Sequence, residues 1–280
     1  MKSQLVLDRA GFVLGNARVL AGLCAAAYGA LPPGTATTIT DPATDTRVDV
    51  HEFEDCLVIV FQGTKDIFQW FQDFKARLVH YGPMRVHHGF LEDVNGVIQK
   101  LRDRIALSVK PLVITGHSKG GGEAVLAAHR LAAGGRAIHS VYTFGQPRAG
   151  DGAFAAAYNG GSATWDDRLE ACPTLGSRTF RVVNQNDIVA RVPGVLYGYR
   201  HHAQFVLIGA SGQIQIAPSL AALLVSDALG LWAPLRRLGT VKLASWQWVY
   251  EAAEAVEVLG RDHFIGQYEA ALAGAGNGKI

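Results

Sequence analysis

The sequence predicts an α/β fold: a mainly parallel central sheet with helices on both faces. Three observations carry that expectation. Short, continuous apolar runs occur at residues 56–61 (CLVIVF) and 111–115 (PLVIT), and further strand-like stretches follow at 140–144 (SVYTF) and 178–183 (RTFRVV). A strand buried on both faces reads as an unbroken apolar run, whereas a half-exposed strand alternates. Stretches with helical spacing lie between these runs, over 91–106, 121–133 and 152–158. Strand and helix in alternation is the pattern of parallel pairing, because each crossover must travel back along a face of the sheet. The third observation is bulk: 280 residues, 49% apolar and 18% charged, suffice for one large core. No repeat, low-complexity tract or linker divides the chain, so residues 1–280 are expected to form one domain.

The elements follow in order. Val13, Ala17, Leu20, Ala21 and Cys24 keep helical spacing, and Gly29 with Pro32 and Pro33 stops that helix. Residues 48–54 alternate like a strand ahead of the 56–61 run. Residues 204–208 and 213–216 read as a late hairpin across Gly212. From Pro218 onward the pattern is helical. Trp246, Val249, Ala253, Val256 and Leu259 form one stripe, with Glu251, Glu254 and Glu257 opposite and Gly260 at the end.

Composition excludes several functions. The net charge of +2 and the lack of a basic run with interleaved aromatics give no nucleic-acid signature. Cys24, Cys56 and Cys172 fit neither a zinc spacing nor a dense disulfide framework. Three reduced thiols are the expectation, with one bridge plus a free thiol as the alternative. No metal-binding motif is present, and no cofactor is required. Residues 19–30 are apolar, but Asp8, Arg9 and Arg18 precede them, and a folded amphipathic helix is favoured over a signal segment. The expected compartment is therefore the cytoplasm by default, with non-classical export left open. The longest membrane candidate, 216–235, is broken by Pro218, Asp227 and Pro234. The oligomeric state is not legible.

The chemistry starts at Gly116-His117-Ser118-Lys119-Gly120. This Gly-x-Ser-x-Gly pentapeptide is weak alone, but the PLVIT run leads straight into it and a helical stretch leads straight out. That is the strand–turn–helix on which an α/β-hydrolase presents its serine. The helix start also places N–H groups and a partial positive charge where an oxyanion would form. Ser118 is the candidate nucleophile.

From these residues outward the chain resembles the class 3 lipase family, the fungal-type triacylglycerol lipases and their bacterial relatives. The resemblance runs from about Ala17 to Tyr268. Its pieces are Phe61-Gln-Gly-Thr64 with Trp70 and Asp73; 86–91 (VHHGFL); the Ser118 elbow; 142–148 (YTFGQPR); 186–193 (NDIVARVP); Tyr199-Arg-His201; and Asp262-His263 with Tyr268. Three positions depart from the family pattern: Gln62 for Arg, Lys119 for Leu, and Phe205 where many members carry Glu. The resemblance implies an α/β-hydrolase fold and acylglycerol substrates.

The triad order of this fold is Ser, then an acid, then His. Asp187 follows the strand-like TFRVVN and should lie at a strand's carboxyl end, where it would hold the imidazole tautomer. Asp151 is the rival acid, read here as the N-cap of the next helix. Order alone permits His201, His202 or His263 as the base. The family comparison assigns His263, and the loop after Gly260 suits a catalytic group. His87, His88, His117 and His129 are read as packing or surface histidines. The oxyanion hole is expected from the N–H of Lys119 and, by resemblance, of Thr64. The Lys119 side chain is expected to be solvated.

The implied activity is carboxylic ester hydrolysis through an acyl-enzyme, with a lipid or small ester as partner. A phospholipase or short-chain esterase is the near alternative. A catalytically silent binding protein and an acyltransferase are the alternatives from other classes. Ile67, Trp70, Phe71 and Phe74 share a helical face directly after Thr64. By resemblance they form a lid that meets a transient lipid–water interface.

Overall fold

The computed structural model describes residues 1–8, 11–32, 34–64, 77–160, 175–185, 187–209, 211–216 and 263–275. Helix α1 (Leu14–Ala27) buries Ala17, Leu20, Ala21 and Cys24 at the expected spacing. Strands β1 (Thr37–Asp41), β2 (Thr46–Glu52) and β3 (Leu57–Phe61) follow as an antiparallel meander. A short hairpin, β4 (Leu78–Tyr81) and β5 (Met84–His87), leads into α2 (His88–Ile105). Then come β6 (Leu112–His117), α3 (Lys119–Ala133), β7 (Ser140–Phe144), β8 (Gly150–Asp151) and α4 (Gly152–Tyr158). The later elements are β9 (Thr179–Asn184), β10 (Tyr199–Arg200), β11 (Gln204–Ile208), β12 (Ile214–Ile216) and α5 (Ile265–Gly274).

Among the described residues the main sheet runs β1-β2-β3-β6-β7-β9-β11-β12. Strands β3, β6, β7, β9 and β11 are parallel, and antiparallel strands lie only toward the two edges. Side-chain alternation along β3 shows why its sequence is continuously apolar. Leu57, Ile59 and Phe61 join a core with α2 and α3, while Val58 and Val60 join a second core with α1 and α5. This is the expected architecture. Strands β11 and β12 pair as the expected hairpin. A smaller sheet, β10-β8-β5-β4, was not anticipated; its strands are two to four residues long and carry too little pattern to read.

Cys24 and Cys56 are buried free thiols, and Cys172 lies outside the described residues. The helical stripe at 246–259 also lies outside them. No helix among the described residues is long and apolar enough to cross a membrane.

Candidate active site

Strand β6 delivers Ser118, and α3 starts at the next residue. The Ser118 backbone holds φ 59° and ψ −130°, a conformation that costs about 1–3 kcal/mol outside glycine and must be imposed by its surroundings. Two main-chain hydrogen bonds impose it: Ser118 N donates to Phe144 O, and Gly121 N donates to Ser118 O, each at 2.9 Å. The flanking glycines let strand and helix touch, since a side chain on Gly116 would strike the main chain of Gly120.

Asp187 lies three residues past β9 and is fully buried. His263 Nδ1 approaches its two oxygens at 2.9 and 3.1 Å. The Tyr268 hydroxyl donates to Oδ2 at 2.5 Å, and Val189 N donates to Oδ1 at 2.8 Å. Burial alone would raise this carboxyl; the charge of His263 and the hydrogen bonds from His263 and Tyr268 outweigh it and hold Asp187 below the usual carboxylate range. With Nδ1 committed to the carboxylate, Nε2 is the ring nitrogen left to take a proton.

His263 is itself held in place. Its carbonyl accepts from His117 Nε2 at 2.7 Å, and His117 Nδ1 accepts from the Tyr28 hydroxyl at 2.7 Å. The two imidazoles stack with centroids 4.6 Å apart. Burial pushes His117 down to about 3, so it stays neutral with one donor and one acceptor nitrogen, each partnered. Gly145, at the end of β7 with φ 58°, leaves the space in which Asp187 and His263 meet. Ser118 Oγ and His263 Nε2 are both buried and without a hydrogen-bond partner. The bond between serine and imidazole is therefore not drawn in this structure.

Asp151 caps α4, its Oδ1 accepting from Phe154 N at 2.9 Å, as expected. His202 packs on Tyr158 and Phe154, with centroids 4.5 and 5.4 Å away. It makes no hydrogen bond to Asp187, nor does His201; His263 is the histidine on that carboxylate.

Lys119 is the first residue of α3, at the helix end where N–H groups are unpaired. Thr64 is half-buried behind Gly63, which abuts the His117 carbonyl and the Tyr28 hydroxyl. One expectation is corrected. The Lys119 side chain is not solvated: Nζ lies 2.9 Å from Glu123 Oε1 and 3.1 Å from Asp93 Oδ2, and the side chain is 18% exposed. Two buried carboxyls out-compete water for the ammonium. The other departures also find partners. Gln62 Nε2 donates to the Ala27 carbonyl, tying β3 to the end of α1. Phe205 offers its ring to the Arg181 guanidinium at 4.8 Å, where a glutamate would offer charge. Ile67, Trp70, Phe71 and Phe74 lie outside the described residues.

Sequence reasoning assigned no role to Tyr28, Tyr268 or Gly145, and read His117 only as packing or surface. The spacing of Asp262-His263 to Tyr268 was the available signal for Tyr268. Tyr28 gave none, because its partner is 89 residues away in sequence.

The profile of the class 3 lipases, "Lipase (class 3)", matches residues 58–197, half of the chain. The chain belongs to the class 3 lipase family. A lipase of Rhizomucor miehei is 31% identical over 170 residues, which cover 56% of this chain and 43% of that protein. The chloroplastic phospholipase A(1) DAD1 of Arabidopsis thaliana is 28% identical over 167 residues, covering 50% of this chain and 34% of that one. The chain spans less than half the length of these two relatives. A solved triacylglycerol lipase, described as having a serine-protease triad at its catalytic centre, superposes with a TM-score of 0.60 at 25% identity. That likeness covers 72% of this chain and 83% of the other. The fold is the α/β-hydrolase fold.

Proposed function

We propose that this class 3 lipase family member is a serine-dependent carboxylic ester hydrolase, acting as a triacylglycerol lipase through Ser118, Asp187 and His263. The observation that carries the reading is the buried Asp187–His263 pair, which occupies Nδ1 and leaves Nε2 open, with His263 stacked on His117, the residue that precedes a strained serine at a helix start. Ser118 Oγ attacks the ester carbonyl while Nε2 takes its proton. Asp187 stabilises the imidazolium and does not itself become protonated. The N–H groups of Lys119 and Thr64 receive the oxyanion, each such donor being worth on the order of 10² to 10³ in rate. Nε2 then protonates the leaving alcohol, and on the return leg it activates the water that releases the acid.

The lipid assignment is drawn from the relatives, one of them a lipase and one a phospholipase A(1). A phospholipase or short-chain esterase is the second reading. We assign Ile67, Trp70, Phe71 and Phe74 to a lid whose apolar face favours lipid over water. A panel of p-nitrophenyl esters, emulsified triglyceride and phospholipid vesicles tests both points. The expected result is a rate on long-chain triglyceride that rises sharply once substrate passes from dispersed to emulsified, with Trp70→Ala weakening that rise more than it weakens short-ester hydrolysis. A smooth hyperbola through the solubility limit, unaltered by Trp70→Ala, would move the protein to the esterase reading.

A further inference from the structure

The first turn of α3 has a composition that works against it. Residues 119–123 read Lys-Gly-Gly-Gly-Glu, with three successive glycines. Glycine is, after proline, the least favourable residue inside a helix. Neighbouring elements leave little room for side chains at these positions: a methyl at 120 would strike the Phe61 main chain and at 122 the Phe90 ring, and at 121 it would press on the Gln146 side chain. The turn that would supply an oxyanion donor therefore packs through its main chain alone and carries no side chain between Lys119 and Glu123.

The two side chains that bracket the glycines belong to Lys119 and Glu123, and they are joined to each other. Lys119 Nζ sits 2.9 Å from Glu123 Oε1 and reaches Asp93 Oδ2 of α2 at 3.1 Å. Glu123 is fully buried, and the Asp93 side chain is 8% exposed. The arrangement is not one that helix stability selects. A cation at a helix start opposes the macrodipole, and lysine ahead of glutamate is the weaker order for an i,i+4 pair. A buried ion cluster is likewise a poor source of net stability. Its charges do balance with one carboxyl protonated. Glu123 Oε2 has no hydrogen-bond partner, and burial, reinforced by Asp93, pushes the Glu123 carboxyl up to about 8. What the cluster supplies is geometry: it spans the glycine turn and fastens it to α2.

We propose that Lys119, Asp93 and Glu123 form a clamp that positions the Lys119 N–H to receive the oxyanion, making the Lys119 side chain a positioning residue. The proposal rests on the function argued above. The departure from leucine at this position is then a substitution of ionic for apolar anchorage of the same turn.

The test is the charge-balanced double variant Lys119→Met/Asp93→Asn, which removes one cation and one anion together. Two measurements decide: hydrogen exchange of a peptide spanning residues 117–126, and steady-state hydrolysis of a soluble short-chain ester. The expected result is exchange at least tenfold faster in that peptide with β7 unchanged, and a kcat about tenfold lower with KM within twofold. That loss is smaller than the cost of deleting a donor, because the donor is loosened and not removed. If the double variant does not fold, Asp93→Asn alone cuts the tie to α2, and the same two measurements decide. Unchanged exchange, or faster exchange with an unchanged kcat, overturns the clamp. A wild type that hydrolyses no ester refutes the function; an active wild type matched by the variant in both measurements refutes the clamp alone.

Discussion

Gly145→Ala adds one methyl group at the place where the proposed acid and base meet. The new Cβ would lie 2.6 Å from Asp187 Oδ2, 2.8 Å from His263 Nδ1 and 2.9 Å from His263 Cε1. An ordinary contact needs about 3.4 Å or more, so the imidazole must retreat by roughly 0.6 Å or the carboxylate must turn. Either movement stretches the 2.9 Å bond that fixes the tautomer. The backbone adds its own cost: φ is 58°, and an alanine there is strained by roughly 1–2 kcal/mol. A misplacement near 1 Å in a catalytic group can cost on the order of 10² in rate. The expected outcome is a loss of about a hundredfold in kcat/KM on p-nitrophenyl butyrate. The accompanying strain of about 1–2 kcal/mol would lower the melting temperature by several degrees, at about 2–4 °C per kcal/mol. Circular dichroism fixes the folded fraction, so the two effects separate. A folded Gly145→Ala protein with activity near wild type would show that the Asp187–His263 contact does not govern turnover.

Two further outcomes follow from the same contacts. Tyr268→Phe removes the donor to Asp187 and the hydroxyl that lies 3.1 Å from Asn184 N. The acid limb of the pH–rate profile should move upward and stability should fall by about 2–4 kcal/mol; a limb that stays in place would separate Tyr268 from the acid. The buried histidines set the acid limit of the fold. Burial holds His117, His129 and His202 at about 3, 4 and 3, below the free imidazole value near 6.5, so between these values the unfolded chain binds protons that the folded chain does not. Their contribution is fully present above about pH 6.5 and is lost as pH falls, by roughly 2 kcal/mol each at pH 5. Asp187, held low, adds to the loss further down, through its own folded value. Scanning calorimetry should show a melting temperature that drops steeply from pH 6.5 to pH 4, and a flat profile would contradict the neutral burial of these rings.

The sheet was readable because strands buried on both faces write themselves as apolar runs: 56–61, 111–115 and 140–144 contain β3, most of β6 and all of β7. The Ser118 turn was readable because strand, glycines and helix are consecutive. The partners of the site were not, because they come from distant parts of the chain. Tyr28 and His117 meet across 89 positions. Asp187 and His263, 76 positions apart, were named through the triad order and the family resemblance, not through any local pattern. Lys119 shows the other limit. Beside glycines, a lysine reads as a solvated side chain until Asp93, on a separate helix, and Glu123 are seen to enclose it. Edge elements such as β4, β5 and β8 escaped because two to four residues carry no period.

The central claim is that Ser118 is the nucleophile, and the most direct measurement is covalent. A fluorophosphonate ester transfers its phosphonyl group to an activated serine oxygen with loss of fluoride, and peptide mass spectrometry locates the adduct. The account predicts one adduct per chain on Ser118, none in Ser118→Ala, and in that variant a rate of ester hydrolysis lower by on the order of 10⁴ with the fold intact. An unlabelled Ser118 in folded protein, or a Ser118→Ala preparation that still hydrolyses esters at a substantial fraction of the wild-type rate, would contradict it.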